Sequence, residues 1–423
     1  MLNDTNRFLK SLPRAYFDAS QPVFITRAPG RLDVMGGISD YSGGLCLEWP
    51  LECATHCAIQ RSHDDRVQVL SANAAGEGWP AQVTVPVAIL TSDYKTVRAR
   101  LSEAQCPPWA LYVLGAFVAL HQEFQLPHPI GARIFVDSDV PIGAGVSSSA
   151  ALEVAAMQAV CAAFGREADG LQIARLAQRV ENQLVGAPCG IMDQITSALG
   201  RADNLIRLLC QPDIIEGYVP LPDGVAVFGI DSNVRHSVGG AAYGRARCAA
   251  FMGRRILQGV LPAALKGPDG KLYLANLASD VWRAVRGSIP ERMTGAEFIK
   301  QYGSHGDMVT TVEPEVEYPV RLAMEHPIYE RDRTRRFAAL LGTVAENDAA
   351  REPLLAAAGD LMIQSHFSYD HRCNLGSPET DVIVKLARER GPKAGILGAK
   401  ITGGGAGGTA AILADVRRHQ DMA

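Results

Sequence analysis

Five of the six residues from Gly403 to Gly408 are glycine, and the run sits between two apolar, strand-like segments, Ala399–Thr402 and Thr409–Leu413. A tight turn needs one or two glycines, and strand interiors avoid them. Such density implies backbone that comes close to something, and a ligand is the natural cause; the plainer alternative is a flexible hairpin. Two other stretches share the feature. Residues 30–44 hold Gly30, Gly36, Gly37, Gly43 and Gly44, which reads as a loop after a short strand at Val23–Arg27 and a turn at Ala28–Arg31. Pro141–Ala150 (PIGAGVSSSA) joins two glycines to three serines and opens into an alanine-rich helix. Glycine makes up 41 of 423 residues, above the usual share of ~7%. These loops take up the excess.

A chain of 423 residues predicts two domains. Apolar residues at 47% and charged residues at 20% support a sizeable core and exclude disorder. A net charge of −4 predicts neither a nucleic-acid nor an anionic-membrane partner. The opening MLNDTNRFLKSLPRAYF has no basic stretch followed by an apolar one, so no signal peptide is expected. No run of about 18 apolar residues occurs, so no membrane helix is expected. Nine scattered cysteines then read as free thiols in a cytoplasmic protein. Cys53, His56 and Cys57 lie close together but supply too few ligands for a metal site. His366 and His371, five apart, do not share a helical face and read as ordinary polar residues.

Strands are expected at Leu45–Ile59, Val67–Leu70, Ala132–Val136 and Val225–Asp231. Helices are expected at Trp109–Phe124, from the serine loop to about Phe164, and at Leu171–Val185, Ala241–Gly259, Pro327–Leu341, Ala349–Phe367 and Thr380–Arg390. Residues 261–317 are of mixed polarity, with helix-sized patches at Leu272–Val285 and Gly295–Tyr302. A Pro-, Gly- and Asp-rich stretch near 205–224 suggests a division into 1–215 and 216–423. The pattern is α+β, with no regular βα alternation.

The serine loop has the makings of an anion site. Gly143 and Gly145 let backbone approach a ligand, and the helix that follows aims free N–H groups and its positive dipole end at the same place. A triphosphate is the natural occupant, although no Gly-Lys-[Ser/Thr] follows as in a Walker loop. The simpler reading is that Ser147, Ser148 and Ser149 cap the helix. Asp193, in the apolar, glycine-containing stretch Gly186–Gln194, reads either as a cap or as a functional carboxylate.

Taken together and in this order, the loops resemble the GHMP kinase family of small-molecule kinases. Ala28–Tyr41 (APGRLDVMGGISDY) resembles the family's first motif in its galactokinase form, Pro141–Ala150 its phosphate loop, and Ile401–Gly408 its third motif. Pro188–Gln194 (PCGIMDQ), Asp231–Ser237 (DSNVRHS) and the later Tyr243 narrow the resemblance to the galactokinase branch. The Met-Gly-Gly-Ile form of the first motif resembles the kinase part of plant L-arabinokinases. So do Thr294–Phe298 (TGAEF), Tyr302–Asp307 (YGSHGD) and His326–Glu330 (HPIYE).

The resemblance implies a two-domain GHMP fold with the active site in the cleft between domains, and an ATP-dependent sugar 1-kinase. It implies that Gly143, Ala144, Gly145, Val146, Ser147, Ser148, Ser149, Gly404 and Gly405 bind ATP, and that Ser149 and Glu181 hold Mg²⁺. Asp193 would take or orient the proton of the anomeric hydroxyl, with Arg31 beside it. Asp40, Gly190, Asp193, Tyr243, Gly37 and Ile38 would form the sugar site. Galactokinases carry Gly-Glu-His-Thr-Asp where this chain has Gly36–Asp40 (GGISD), and their Glu and His bind the C6 hydroxyl. L-Arabinose has the ring configuration of galactose without that hydroxymethyl group. Gly37 and Ile38 therefore point to L-arabinose. The other readings are a galactokinase or a uronate 1-kinase of the same branch, and a regulator that binds sugar and ATP without catalysis. Expected partners are a monosaccharide and ATP, with no nucleic acid and no membrane.

Overall fold

A computed structural model describes residues 2–126, 131–235, 241–346 and 350–420. His236 and Ser237 of the DSNVRHS stretch lie outside the described residues.

The first part of the chain builds a seven-stranded sheet. Its strands are β1 (Phe24–Met35), β2 (Leu45–Arg61), β3 (Arg66–Ser71), β4 (Gln82–Pro86), β5 (Ala132–Ser138), β6 (Asn204–Leu209) and β7 (Ile214–Pro220). They run in the order β4-β3-β5-β2-β6-β7, with β1 paired along β2. Only β3 and β5 run parallel. Helices Pro108–Phe124 and Ser148–Ala163 bury a continuous apolar core with this sheet, including Val113, Phe117, Val154 and Ile134. Ala-rich faces let the two helices come close to each other and to the strands.

The second part carries a three-stranded antiparallel sheet, β11 (Ile396–Ile401), β12 (Thr409–Asp415) and β8 (Val225–Asp231), with β12 in the middle. Helices Val320–Glu346, Arg351–Cys373 and Pro378–Arg390 belong to this half. Residues 262–318 form a small helical region around the fully buried Trp282, with a two-residue ribbon, β9 (Met293–Thr294) and β10 (Glu317–Tyr318). One apolar cluster, with Leu32, Val34, Val140, Val146, Phe337, Leu361 and Ala411, spans both halves.

Five expectations need correction. The turn at Ala28–Arg31 is the middle of β1, and residues 30–35 are strand rather than loop. β1 pairs with β2 alone, so Pro29 needs no ladder partner on its other side, and the register shifts between Pro29 and Arg31. A division at 215/216 would cut through β7, which pairs with β6. The helix expected to start at Pro327 starts at Val320 and carries Pro327 inside it. Burial of Met324 and Ile328 on either side outweighs the lost backbone bond. The Leu171–Val185 helix ends as α at Arg179 and continues as a π turn, Val180–Val185. The Leu272–Val285 patch is a short 3₁₀ turn followed by the helix Ser279–Val285.

The nine cysteines are free. His366 is a buried core residue. Its Nδ1 accepts from the Ile401 N–H, and burial holds its pKa down at about 4. His56 stacks on the Phe8 ring at 4.9 Å. Among the described residues, no helix is long and apolar enough to cross a membrane.

Candidate functional site

A cavity of about 470 Å³ opens between the two halves. The first half lines it with Arg31, Ile38, Asp40, Glu181, Gly190 and Asp193, and the second half adds Tyr243, Gly403 and Gly404. Gly143, Gly145, Ser147, Ser148 and Ser149 line it from the serine loop. Of the expected site residues, Gly37, Ala144, Val146 and Gly405 do not line it.

Asp193 and Arg31 form its charged centre. The helix Met192–Leu199 starts one residue before Asp193, with Ile191 at the cap position, so Asp193 is not the cap. Its Oδ1 accepts from Arg31 Nε at 2.9 Å and Nη2 at 2.7 Å. The remaining Arg31 nitrogen, Nη1, donates to the Gly145 carbonyl at 2.9 Å, and the Arg31 backbone N–H donates to the Val146 carbonyl at 3.0 Å. The unpaired edge of β1 thus holds the serine loop in register with Asp193. Glu48 Oε2 lies 3.3 Å from Arg31 Nε, fully buried. Burial opposes the Arg31 charge, but Asp193, Glu48 and Asp33 outweigh it and raise its pKa.

The serine loop is set by backbone. Gly143 and Gly145 have φ of +70° and +71°, and Ser147 has φ of +62°. Ser147 is the residue before the helix Ser148–Ala163, yet it makes no side-chain cap bond, and its buried Oγ has no partner. The first N–H groups of this helix are therefore not satisfied by a side-chain cap. Ala144 and Val146 point away from the cavity, into the apolar cluster shared by the halves.

The glycines of 403–408 have a different cause from the one expected. A Cβ on Gly403 would come within 2.7 Å of the Gly145 carbonyl, one on Gly408 within 2.8 Å of the Ala144 carbonyl, and one on Gly405 within 2.6 Å of the Leu375 carbonyl. Thr409 Oγ1 also donates to the Ala144 carbonyl at 2.8 Å. Much of the close approach is therefore between this loop and the rest of the protein, and only Gly403 and Gly404 reach the cavity.

Glu181 sits on the π turn and is 2% exposed. Its Oε2 accepts from Gln194 Nε2 at 2.5 Å. Burial and then the Asp193 charge push its pKa up to about 7, offset in part by hydrogen bonds from Ser149, Cys189 and Gln194. Glu153, one turn along the helix from Ser149, is fully buried beside it, with Oε1 unpartnered. Ser149 hydrogen-bonds to Glu181, so a hydroxyl and a buried carboxylate stand together at the start of the helix. No group of three His, Cys, Asp or Glu residues stands ready as a metal cage among the described residues.

Asp40 is 5% exposed, and its Oδ1 has no partner. Burial and the nearby Asp193 push its pKa up to about 6, against the pull of the Tyr41 N–H and Arg247. A Cβ at Gly190 would lie 1.6 Å from Asp40 Oδ2, so only glycine lets the 187–191 loop rest on this carboxylate. Beneath both lies Arg247, which the sequence reading missed. It donates to Asp307 through Nε and Nη2, both at 2.8 Å, and to the Cys189 carbonyl through Nη1 at 3.1 Å. Arg247 is one helical turn after Tyr243, on the same face. The YGSHGD stretch therefore anchors, through Asp307, the loop that carries Gly190 into the cavity.

Ile38 takes φ of +59°, a left-handed conformation that a β-branched residue rarely adopts. Such strain costs roughly 1–3 kcal/mol and collects at functional sites. Trp79, Trp109 and Tyr112 form an apolar part of the lining. They were invisible as site residues because Trp109 and Tyr112 lie in a helix whose pattern reads as core.

Residues 111–201 match the model of the GHMP kinases N terminal domain, and residues 14–61 match the galactokinase galactose-binding signature. The chain is 36% identical to the L-arabinokinase of Arabidopsis thaliana over 94% of its own length, and spans 43% of that protein. It is 30% identical to the galactokinase of Streptomyces coelicolor, covering 94% of this chain and 86% of the relative. Among solved structures, Lactococcus lactis galactokinase complexed with galactose superposes with a TM-score of 0.77 at 20% identity, over 99% of this chain and 92% of that one. A mevalonate kinase follows at a TM-score of 0.52 and 14% identity, over 94% of each chain. The chain belongs to the GHMP kinase family, in its galactokinase and L-arabinokinase branch.

Proposed function

We propose that the protein is an ATP-dependent sugar 1-kinase whose substrate is L-arabinose and whose product is L-arabinose 1-phosphate. Sugar kinase activity and ATP follow from membership of the branch. The choice of sugar rests on one observation: Ile38, an apolar side chain in a strained conformation, stands in the cavity wall beside Asp40. A galactose hydroxymethyl directed at this wall would lose hydrogen bonds to water and gain none, a penalty of roughly 1–3 kcal/mol. An apolar wall rejects an added hydroxyl by about a hundredfold at best, so some galactose activity is expected. The match to the galactose-binding signature makes D-galactose the second reading.

In this reading the anomeric hydroxyl attacks the γ-phosphorus, its O–P bond forms, and the bond to the ADP oxygen breaks. Both Arg31 donors fall on Asp193 Oδ1, which leaves Oδ2 to accept the sugar proton. Arg31 fixes the orientation of Asp193 and offsets the charge that builds up on the transferring group. Gly143 to Ser149 would hold the phosphates through backbone N–H groups. Ser149 and Glu181 would hold Mg²⁺, which neutralises phosphate charge. Asp40, Gly190 and Tyr243 would seat the sugar ring, and the Trp79, Trp109 and Tyr112 part of the lining suits the flat adenine base. Retention of Arg31, Glu181, Asp193 and the three serines favours an enzyme over a sensor.

Coupled ADP release with L-arabinose, D-galactose, D-glucuronate and D-galacturonate tests the reading. Highest kcat/KM with L-arabinose supports it. Preference for galactose or a uronate removes the argument from Ile38, and binding of ATP without any turnover removes the enzyme.

A further inference from the structure

Gly37 has unexceptional φ but no room. A Cβ there would lie 1.9 Å from the Tyr369 hydroxyl and 2.1 Å from Asp33 Oδ2. The space beside it is thus filled by a tyrosine that comes from 332 positions further along the chain (369 minus 37), on the helix Arg351–Cys373. Tyr369 is fully buried and donates its proton to Asp33 Oδ2 at 2.8 Å. Lys400 Nζ reaches the same carboxylate oxygen at 2.5 Å, and Asp33 Oδ1 accepts from the Gly37 N–H at 3.0 Å. His326 Nε2 lies 2.8 Å from the Gly37 carbonyl, which can only accept, so Nε2 carries the proton; Nδ1 then accepts from Ser368 at 2.8 Å. The His326 ring meets Tyr369 edge-on at 5.2 Å. Ile38, Tyr243 and Tyr369 belong to one apolar cluster. The short loop that presents Ile38 to the cavity is therefore clamped from behind.

Resting on the reading of this chain as a sugar kinase, we propose that Tyr369 is a specificity-determining residue. Its phenol, with the Asp33 carboxylate it holds in place, takes the volume that any side chain at position 37 would need, and it packs in one cluster with Ile38, so that this stretch of the wall offers no polar side chain from position 37 to a sugar substituent. Gly37 and Tyr369 are then a matched pair. A side chain at 37 is accommodated only if 369 is made smaller and the Asp33 carboxylate, freed of its bond to the Tyr369 hydroxyl, swings aside. Tyr369 has no exposure and does not line the cavity, so it acts through Ile38 and Gly37 as a positioning residue.

The test is a double-mutant cycle of Gly37→Ala with Tyr369→Leu, read by thermal unfolding and by the ratio of kcat/KM for L-arabinose to that for D-galactose. Tyr369→Phe serves as the gentler second variant, since it removes only the oxygen nearest the added Cβ. Gly37→Ala alone is expected to lower the unfolding midpoint by roughly 5 °C or more. Combined with Tyr369→Leu, it is expected to cost less than half of that shift relative to Tyr369→Leu alone, and Tyr369→Phe to fall between. The arabinose-to-galactose ratio is expected to fall about tenfold in Tyr369→Leu. Equal cost of Gly37→Ala in all backgrounds, or a wild-type ratio retained in Tyr369→Leu, overturns the inference alone. A wild-type protein that prefers galactose, or turns over neither sugar, overturns the function reading along with it.

Discussion

In the proposed reading, the phosphate side of the cavity and its sugar side are built by different means. The phosphate side is a local object: one loop, 141–149, whose positive-φ glycines and uncapped helix start make a cradle from nine consecutive residues. The sugar side is assembled from afar. Asp40 rests on Gly190, the loop at Gly190 hangs from Arg247, Arg247 is held by Asp307, and Ile38 is backed by Tyr369 and His326. A backbone cradle reads the same charge in any nucleotide. A wall of side chains from distant helices can change from one sugar to another without disturbing it.

The largest expected effect falls where the two sides meet. Asp193→Asn removes the proton acceptor and is expected to lower kcat by about 10³-fold, while ATP affinity stays within about twofold in a binding titration. An equal loss of ATP binding would place Asp193 on the phosphate side. Next, Glu181→Gln is expected to lower kcat/KM for ATP by about 10–100-fold and to raise the Mg²⁺ needed for half activity, with the sugar KM unmoved. A shift in sugar KM instead would erase the separation of the two sides.

On the sugar side, Arg247→Met is expected to raise the sugar KM about tenfold and leave ATP alone. Its pH profile is the sharper test. Sugar hydroxyls need the ionised Asp40, so kcat/KM for sugar is expected to fall as pH drops through about 6. Arg247 favours the ionised form, so its removal moves that midpoint upward. A midpoint that stays in place would make Arg247 a fold-stabilising residue only. The smallest effect is Gly145→Ala. A Cβ there would find its nearest atom at 3.5 Å, so only the φ of +71° resists it. A few-fold rise in the ATP KM and about 1–2 kcal/mol of stability are expected from the left-handed conformation alone.

Legibility followed the same division. The serine loop and Asp193 lie in short contiguous motifs and Glu181 came only through the resemblance; the fold brings all of them to one cavity. Arg247 and Asp307 are 60 residues apart and meet as a buried ion pair, which no spacing announces. The loop glycines show a subtler limit. Density at 403–408 indicates close approach, but composition cannot say whether to ligand or to protein; here Gly145, Ala144 and Leu375 carbonyls account for much of it. Gly37 is the extreme case. It reads from sequence as an absent sugar contact, and the structure shows a glycine kept small by a tyrosine. The edge-strand status of β1, which admits Pro29 and turns an expected loop into strand, likewise depends on a pairing that only the folded sheet reveals.

The central claim is that the Ile38 wall selects a pentose lacking the hydroxymethyl group. A competition at limiting ATP, with equimolar L-arabinose and D-galactose and the products resolved by phosphorus NMR, reads the ratio of specificity constants directly. L-Arabinose 1-phosphate as the dominant product, by about tenfold or more, is the predicted result. Galactose 1-phosphate in equal or greater amount would contradict it.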